Sequence, residues 1–364
     1  MFILNSWYIA AWAEDVADKP FPRRICNEAI VFFRDRQTKK IAALADMCCH
    51  RGAPLSLGTV VEEGLECGYH GVVHDCSGKC VHIPGQDRIP EKARVRSYPV
   101  VEKNEFIWIW MGDPALADES LIVDYPYNDD HQNWPHKHGF YHIKAGYMLM
   151  VDNLMDLTHL GYVHKTTIGG NPMTHVKAEM DVTRTDSSLK YVRWMINSVP
   201  PPTYTKAVDF EGSHVDRWQE FAFSAPSNVL QWSGAVKTGT GAREHGNRAG
   251  GFSLRIFHGL TPETENTCFY FFTPANGYKQ DDPQATELLY EHIAEAFMED
   301  KIFCEGQQAR IDERGESHLV DIVSDATRVQ LRRIIKKMFD EEQKQPAPAS
   351  APTARVEIPI TVAK

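Results

Sequence analysis

The sequence lacks a hydrophobic run long enough to cross a membrane, and it lacks an excess of positive charge. No apolar stretch of the 364-residue chain approaches the roughly 20 residues that a membrane-spanning helix needs. Lysine and arginine total 39 against 49 aspartate and glutamate residues, a net charge of −10, and no basic stripe carries interleaved aromatics. We therefore expect neither a membrane protein nor a nucleic-acid partner. A small anionic substrate remains compatible, because a pocket can be locally positive.

The sequence also lacks the motifs that would let the chain collect electrons by itself. The stretch TGTGA (238–242) has the first two glycines of a dinucleotide fingerprint, but neither the third glycine nor a strand-to-helix context. The cysteines do not follow the plant-type C-x₄-C-x₂-C ferredoxin spacing. If the chain carries out redox chemistry, its electrons must therefore come from a separate protein, an NAD(P)H reductase or a ferredoxin.

The N-terminal stretch MFILNSWYIAAWAED has no positively charged segment, so we expect a strand and a turn there, not a signal peptide. A cytoplasmic location follows, in which the eight cysteines are reduced by default. In that setting a Cys/His cluster indicates metal binding or catalysis. A glycine-turned hairpin could bring Cys76 and Cys80 together, but two free thiols are favoured.

The strongest pattern pairs one cysteine with one histidine twice. CCHRG places Cys48 and His50 as C-x-H, and CGYHG places Cys67 and His70 as C-x-x-H after sixteen intervening residues. Structural zinc sites usually pair two ligands of one kind, whereas a Rieske [2Fe–2S] cluster takes two cysteines on one iron and two histidines on the other. The mixed pairs therefore predict a Rieske cluster. Cys49 is expected to point away from it as a small apolar filler.

A second cluster lies in DNLMDLTHLGYVH (152–164), whose polar members are Asp152, Asn153, Asp156, His159 and His164. On one helix, Asp152, Asp156 and His159 share a face. His164 follows five residues after His159, more than about 100° around an ideal helix. The two histidines converge only if the helix widens or ends between them, which Gly161 permits. The alternative is an amphipathic helix whose polar side faces water.

A third ligand for such a site should be a distant carboxylate. Asp300 falls on the apolar stripe of a long helix predicted from about residue 282 to 311, together with Leu289, Ile293, Phe297 and Cys304. A carboxylate on a buried face is costly unless it is paired or bound to a metal. With His159 and His164 it completes a two-His-one-carboxylate triad, the site type of non-haem Fe(II) oxygenases. The alternative is an internal salt bridge, for example to Arg310.

Together these motifs resemble those of the Rieske non-haem iron oxygenases. Within that family they are most similar to the oxygenase (alpha) components of the vanillate O-demethylase, toluenesulfonate methyl-monooxygenase and dicamba monooxygenase group. The resemblance runs from Trp7 to about residue 340 and includes NSWYIAAW, VDNLMDLTH and LTPETE. It implies an α+β chain with one [2Fe–2S] cluster and one mononuclear Fe(II) per subunit. An all-β Rieske domain would span residues 1–113, and a helix-grip catalytic domain of antiparallel sheet plus helices would span residues 114–343. Residues 114–138 read as a linker or interface wrap, and residues 344–364 as a disordered tail.

The resemblance also implies roles for individual residues in a homotrimer with electron transfer between subunits. Asp156 would bridge His70 of the partner subunit and an iron-ligating histidine of its own, and Asn153 would lie near the iron. Gln231 and His258 match polar substrate contacts, which could hold an aryl carboxylate or sulfonate. An apolar wall is expected from Trp232, Phe257, Tyr290 and Phe297.

The predicted function is that of a terminal oxygenase component, which uses O₂ and reductase-supplied electrons to hydroxylate or O-demethylate a small aromatic acid. The alternatives are a ring-hydroxylating dioxygenase and an aryl-methyl hydroxylase, which the metal-binding residues do not distinguish. Two non-oxygenase alternatives are an electron carrier with a degenerate second domain and a zinc-binding structural module.

Overall fold

The computed structural model describes residues 1–344. Apart from Lys344, the tail predicted to be disordered lies outside the described residues. None of the helices in residues 1–344 has the length and apolar character that crossing a bilayer demands.

The N-terminal part is built only from short antiparallel strands, as predicted. Three sheets form, in the orders β1-β10-β9, β2-β3-β4 and β5-β6-β7-β8. The strands are β1 (Trp7–Trp12), β2 (Phe21–Ile25), β3 (Glu28–Arg34), β4 (Ile41–Ala45), β5 (Thr59–Val61), β6 (Gly64–Glu66), β7 (Val73–His74), β8 (Cys80–His82), β9 (Val100–Lys103) and β10 (Phe106–Trp110). The four short strands β5–β8 carry the turns on which the second Cys/His pair lies.

Strand β10 is apolar on both faces because each face packs into a different core. Ile107 and Ile109 belong to the core of the N-terminal sheets. Phe106, Trp108 and Trp110 point the other way and pack among aromatic residues that include Phe257 and Phe271 of the C-terminal sheet. The unbroken run FIWIW therefore joins the two parts of the chain.

The C-terminal part is one seven-stranded antiparallel sheet with helices against it, in the order β11-β17-β16-β15-β14-β13-β12. Its strands are β11 (Gly139–Ile143), β12 (Glu179–Arg184), β13 (Ser188–Ser198), β14 (Val215–Ser224), β15 (Asn228–Lys237), β16 (Phe252–Thr264) and β17 (Thr267–Asn276). Its helices are α1 (Tyr147–Met155), α2 (Leu160–Val163), α3 (Pro172–Val176), α4 (Pro202–Ala207), α5 (Pro283–Arg314) and α6 (Ala326–Glu342). This architecture confirms the predicted fold class.

The long helix α5 forms where the sequence predicts it. Asp282 caps its first turn by accepting a hydrogen bond from the Gln284 amide, and Gly315 ends it with a φ of 72°. The predicted stripe is buried, and Asp300 is buried within it: Leu289, Ile293, Phe297, Asp300 and Cys304. Helix α5 therefore presents one carboxylate to the interior of the C-terminal part.

The helix that the sequence suggests around residues 148–164 is interrupted, but the interruption does not lie near Gly161, where we expected it. Asp156 takes an extended conformation (φ −130°, ψ 103°) that ends α1, and a single 3₁₀ turn, Leu157–His159, leads into α2. The break thus precedes His159, whereas we expected it near Gly161. Gly161 serves packing instead, since a Cβ there would lie 2.4 Å from the Cα of Pro172 in α3.

Residues 114–138 wrap along the junction between the two parts, one of the two roles predicted for them. The carbonyl of Pro135 accepts a hydrogen bond from the Asn276 amide at 2.8 Å, and His136 forms a β-bridge with Ala275. On the other side, the Asn128 side-chain amide donates to the carbonyl of Asn104 at 3.1 Å. The domain boundary at residue 113 itself stays a prediction.

Asp152 proves to be a structural residue that fixes α6 against α1. Its carboxylate accepts from Arg332 Nη2 at 2.6 Å and from Arg328 Nε at 3.1 Å, and its side chain is buried. Asp152 lines the same surface cleft as Asp156 and His159, but its carboxylate is engaged by the two arginines of α6.

We expect Asp152→Asn to destabilise the protein by about 3 kcal/mol, because it leaves two partly buried guanidinium groups without their counter-charge. The shift in the urea midpoint at constant slope measures this loss. Asp186→Asn is the matched control. The Asp186 carboxylate also pairs with a cation of α6, Lys337 at 2.8 Å, but it is largely exposed. The control should change stability by less than about 1 kcal/mol, and equal losses in both variants would contradict the role assigned to Asp152.

Candidate metal centres and substrate cavity

Two similar loops present the first Cys/His group. In each loop the cysteine carbonyl accepts a hydrogen bond at 2.9 Å from a glycine four residues later, Gly52 after Cys48 and Gly71 after Cys67. Both glycines have a positive φ, 72° and 70°, which a residue with a Cβ adopts at a cost. The sequence signal CxHxG…CxxHG thus encodes a pair of matched turns.

The two loops bring together the four residues predicted to bind the cluster. Cys48 and Cys67 are buried in the same apolar core, whereas His50 and His70 are exposed, with ring centroids 4.5 Å apart. Burial, together with the adjacent Cys67 thiol, raises the pKa of Cys48 to about 11. A cationic metal would lower that pKa and bind the thiolate. Buried sulfur ligands with imidazoles at the surface are a donor set that fits a [2Fe–2S] cluster with an electron-accepting edge.

Cys49 is not the apolar filler that the sequence suggested. Its side chain is exposed, and its Sγ lies 3.3 Å from Nε2 of the fully buried His74. Cys76 and Cys80 are both free thiols, as favoured, and Cys76 Sγ contacts the Asp35 carboxylate at 3.5 Å.

The second group converges on a single oxygen atom. Oδ1 of Asp300 lies 3.3 Å from His159 Nε2, 3.1 Å from His164 Nε2 and 3.0 Å from the amide nitrogen of Asn153. Asp300 is only 3% exposed, and Arg310, the alternative partner, pairs with Glu313 instead. The structure therefore brings together the three predicted ligands, from α5 and from both sides of α2.

The other nitrogen of each ring is held by an acceptor, and this fixes the tautomers. His159 Nδ1 donates to the main-chain carbonyl of Asp156 at 2.7 Å, and His164 Nδ1 donates to the Glu299 carboxylate at 2.7 Å. With protons on Nδ1, the Nε2 atom of each neutral ring directs a lone pair at Asp300, so either a second proton on the ring or a metal ion must lie between ring and carboxylate. Such an arrangement suits a metal ion between the three groups, because ligating histidines usually donate their second nitrogen to a carbonyl or carboxylate.

The pKa shifts reflect the same convergence. Burial alone would raise the pKa of Asp300, but hydrogen bonds from His159 and His164 hold it well below its usual range. Burial would lower the pKa of His164, but Asp300 and Glu299 raise it. The Oδ1 atom of Asn153 is also buried without a hydrogen-bond partner in residues 1–344. The site therefore holds concentrated negative charge that requires a cation.

Asp156 contacts His159, as the resemblance implies, but through a different group. Its carbonyl, not its carboxylate, contacts His159, and the carboxylate caps the following turn by accepting from the Thr158 amide at 2.9 Å. Asp156 lines a surface cleft that His159 also lines. A bridging role toward a partner subunit stays a prediction.

A cavity adjoins this site and is mainly apolar, with a few polar groups. Its walls are Asn153, Leu154, Leu157, His159, Leu160, His164, Ile168, Tyr204, Gln219, Phe221, Gln231, Leu254, Ile256, Ile293, Phe297 and Asp300. Of the four aromatics expected in the wall, only Phe297 lines it. The other aromatic positions are filled by Tyr204 of α4 and Phe221 of β14, which the sequence analysis did not identify.

Of the two predicted substrate contacts, Gln231 reaches the cavity and His258 lies behind it. His258 is fully buried, between the Tyr270 hydroxyl at 2.7 Å from Nδ1 and the Gln231 Oε1 at 3.0 Å from Nε2. Burial lowers the pKa of His258 to about 3, so its ring is neutral. His258 thus positions the Gln231 amide and supplies no charge to an acid.

Two buried arginines, which the sequence analysis missed, lie behind the cavity wall. Arg193 donates to Gln219 Oε1 at 3.1 Å, and Arg217 donates to the carbonyl of Ile168 at 3.2 Å and lies over the ring of Tyr204. Neither guanidinium forms an ion pair within residues 1–344, and Arg217 Nε has no hydrogen-bond partner there. Burial lowers the pKa of both arginines. No spacing rule would have revealed them, since lone arginines on strands usually reach solvent.

These features define an oxygenase with a Rieske domain and a separate two-His-one-carboxylate centre, and comparison with known proteins agrees. Residues 6–99 match the family model of the Rieske [2Fe-2S] domain, and residues 143–341 match the vanillate O-demethylase oxygenase C-terminal domain. The chain belongs to the Rieske non-haem iron oxygenases, in the vanillate O-demethylase group. It is the oxygenase component of a Rieske-type monooxygenase system.

The individual relatives cover nearly the whole chain. The toluene-4-sulfonate monooxygenase system iron-sulfur subunit of Comamonas testosteroni is 39% identical, over 96% of this chain and 100% of the relative. The vanillate O-demethylase oxygenase subunit of a Pseudomonas species is 38% identical, over 94% and 96%. The crystal structure of dicamba monooxygenase bound to dicamba superposes with a TM-score of 0.85 at 34% identity, covering 94% of this chain and 99% of the other.

We expect Glu299→Gln to weaken iron retention by about 10- to 100-fold, because the amide no longer stabilises the Nδ1–H of His164 as a carboxylate does. Iron content after dialysis against a weak chelator measures the effect, and the visible spectrum of the cluster serves as an internal reference. Glu287→Gln is the matched control on the same helix, since Glu287 pairs only with the exposed Lys137. Unchanged iron retention in Glu299→Gln would refute this positioning role.

Proposed function

We propose that this oxygenase hydroxylates or O-demethylates a small aromatic acid, with O₂ as co-substrate. The observation that carries the proposal is that buried cations stand behind the wall of the cavity that the candidate metal ligands line. His159, His164 and Asp300 line this cavity, and the unpaired Arg193 and Arg217 contact Gln219 and Tyr204 of its wall. The named substrates of the relatives agree with this, since toluene-4-sulfonate, vanillate and dicamba are all small aromatic acids.

The metal ligands follow from the two donor sets. Cys48, His50, Cys67 and His70 would hold the [2Fe–2S] cluster, while the mononuclear iron would be held by His159, His164 and Asp300. When bound, these groups supply one-electron transfer and O₂ activation. The carbonyl of Asp156 and the carboxylate of Glu299 orient His159 and His164, because each accepts a hydrogen bond from the Nδ1–H of one ring. Leucine and isoleucine side chains line the centre and exclude bulk water.

The cavity would hold the substrate by charge at one end and by apolar contact along the ring. Arg217 and Arg193 make the region around Tyr204 and Gln219 electropositive, and their charge is strong because burial keeps it unscreened. Gln231 offers an amide whose Oε1 is engaged by His258 and whose Nε2 contacts Ser233 at 2.8 Å. Asn153, next to Asp300, would act as a further polar contact close to the iron.

We further propose a homotrimer in which electrons pass between subunits. The surface around His50 and His70 carries exposed apolar side chains, including Met47 and Tyr69. The cleft that reaches Asp156 and His159 is bordered by exposed Ile302 and Phe303. Two such patches on one chain suit a head-to-tail contact, in which Asp156 would meet His70 of the partner subunit. A cytoplasmic location fits the eight free cysteines and an NAD(P)H-dependent reductase partner.

Formaldehyde release tests the reaction type directly. The oxygenase would be combined with a surrogate reductase and NADH and assayed against methoxylated and methylated aromatic carboxylates and sulfonates. We expect formaldehyde in step with the loss of a methoxylated aromatic acid. A hydroxymethyl product without formaldehyde would indicate an aryl-methyl hydroxylase, and a cis-diol would indicate a ring-hydroxylating dioxygenase. Failure of every acid, with turnover of their neutral amides, would contradict the proposed substrate class.

We expect Arg217→Met to raise the KM for the preferred acid by about 10-fold or more, because it removes a buried charge whose electrostatic attraction is worth about 1.5–3 kcal/mol. The KM for the corresponding neutral amide should change much less. Arg248→Met is the control, since Arg248 is neutralised by Glu220 at 3.0 Å. The cluster spectrum verifies folding, and equal KM changes for acid and amide would show that Arg217 has only a packing role.

A further inference from the structure

Three histidines surround one carboxylate at the junction between the two parts of the chain. None of them belongs to the two Cys/His loops or to the candidate iron ligands. Three imidazole nitrogens approach Glu105: Nε2 of His131 at 2.7 Å, of His136 at 2.8 Å and of His138 at 2.9 Å. The three histidines come from HQNWPHKH (131–138) in the wrapping segment, and Glu105 lies in the turn between β9 and β10.

The tautomer of one of these rings is fixed in the same way as those of His159 and His164. His136 Nδ1 lies 2.9 Å from the carbonyl of Trp134, which can only accept, so this nitrogen carries the proton. The neutral ring of His136 therefore directs its Nε2 lone pair at the Glu105 carboxylate. His138 lies between two carboxylates, with Nδ1 2.9 Å from Glu14 and Nε2 2.9 Å from Glu105, so a neutral ring directs a lone pair at one of them. Lone pairs and a carboxylate repel each other unless a proton or a metal ion lies between them.

We propose that Glu105, His136 and His138 form a site for a divalent transition-metal ion of the zinc type, distinct from both iron centres. Ligand atoms of these three residues lie within 4.8 Å of one another. His131 contacts the other carboxylate oxygen of Glu105 and is not one of these three ligands. Imidazole nitrogen and carboxylate oxygen are donors that Zn²⁺ accepts in tetrahedral geometry. Tetrahedral ligand atoms around zinc lie about 3.3 Å apart, so the carboxylate would move away from each of the two imidazole nitrogens by about half an ångström.

The local structure holds the donors in place before any metal binds. His138 stacks on Trp12, with ring centroids 3.9 Å apart and planes inclined by 3°, and His131 stacks on His136 at 4.6 Å. The side chain of His136 is almost completely buried. Rings that are already oriented lose little freedom on binding an ion.

The position of Glu105 supports a role for its side chain. Asn104 and Glu105 both have a positive φ, 51° and 66°, as two-residue hairpin turns of this kind require. Glycine is strongly preferred at the second of these positions, and another residue there is strained. The chain instead places a carboxylate at that position, and the carboxylate contacts all three histidines.

The site would fasten the N-terminal domain to the segment that enters the catalytic domain. Glu14 and Glu105 belong to the N-terminal strands and turns, whereas His136 is bridged to Ala275 of the C-terminal sheet. An ion bound by residues from both sides stabilises the folded arrangement by mass action, because the unfolded chain offers no assembled site.

Zinc binding to the iron-loaded holoenzyme tests the proposal. Zinc and iron would be counted in the same sample after incubation with Zn²⁺ and gel filtration, and affinity would be measured by calorimetry. We expect one zinc per chain in addition to unchanged iron, with a higher unfolding temperature. Glu105→Gln should lower zinc affinity at least about tenfold and abolish the zinc-dependent temperature shift.

The controls separate this site from others on the chain. His142→Gln is the matched control, since His142 also pairs with one glutamate, Glu263 at 2.6 Å, but has no second histidine beside it; its zinc binding should equal that of the wild type. His138→Asn replaces Glu105→Gln if the latter does not fold, as judged by the visible spectrum. Two outcomes would overturn the proposal: zinc that binds only by displacing iron, and equal zinc binding by the wild type and Glu105→Gln. Either outcome would mean that Glu105 is paired with protonated histidines and not with a metal ion.

Discussion

The catalytic half of this protein depends on one buried carboxylate oxygen that two imidazole lone pairs face. In a low-dielectric interior this arrangement is repulsive, and it is maintained only because the surrounding chain holds each group from behind. Asp300 is fixed by the long buried stripe of α5, His164 by Glu299 and His159 by the carbonyl of Asp156. A cation relieves the repulsion, so the folded chain binds a metal with geometry that it has already established.

That requirement also explains the interruption between α1 and α2. In a continuous helix His159 and His164 would diverge, and the carbonyl of Asp156 would be used within the helix. The extended backbone at Asp156 frees this carbonyl for His159 Nδ1. Gly161 contributes in another way, by letting α3 approach closely. One backbone change thus provides both the convergence of the ligands and the orientation of one of them.

The sequence was sufficient for features that depend on local spacing. The two Cys/His loops and the buried stripe that carries Asp300 were predictable, because each follows from periodicity or from a turn within a few residues. The depth of a side chain within the fold was not. Alternation along β15 and β16 indicates which side chains point inward, but not that Gln231 reaches the cavity while His258 lies behind it. Glu299 lies off the buried stripe, so the helix pattern did not indicate its role, and only the tertiary position of His164 brings the two together.

The charges around the cavity imply how an aromatic acid would lie in it. Asp300 and Glu299 bring negative charge to the candidate iron ligands, while the buried Arg193 and Arg217 bring positive charge to Gln219 and Tyr204 of the cavity wall, where burial leaves it weakly screened. An anionic substituent is therefore attracted to the region of Tyr204 and Gln219. With the acid group held there and the ring between Phe221 and Phe297, we expect the substituent remote from the acid group to face His159 and His164. Placement of the reacting methyl or methoxy group then follows from electrostatics, and the apolar walls need only to hold the ring.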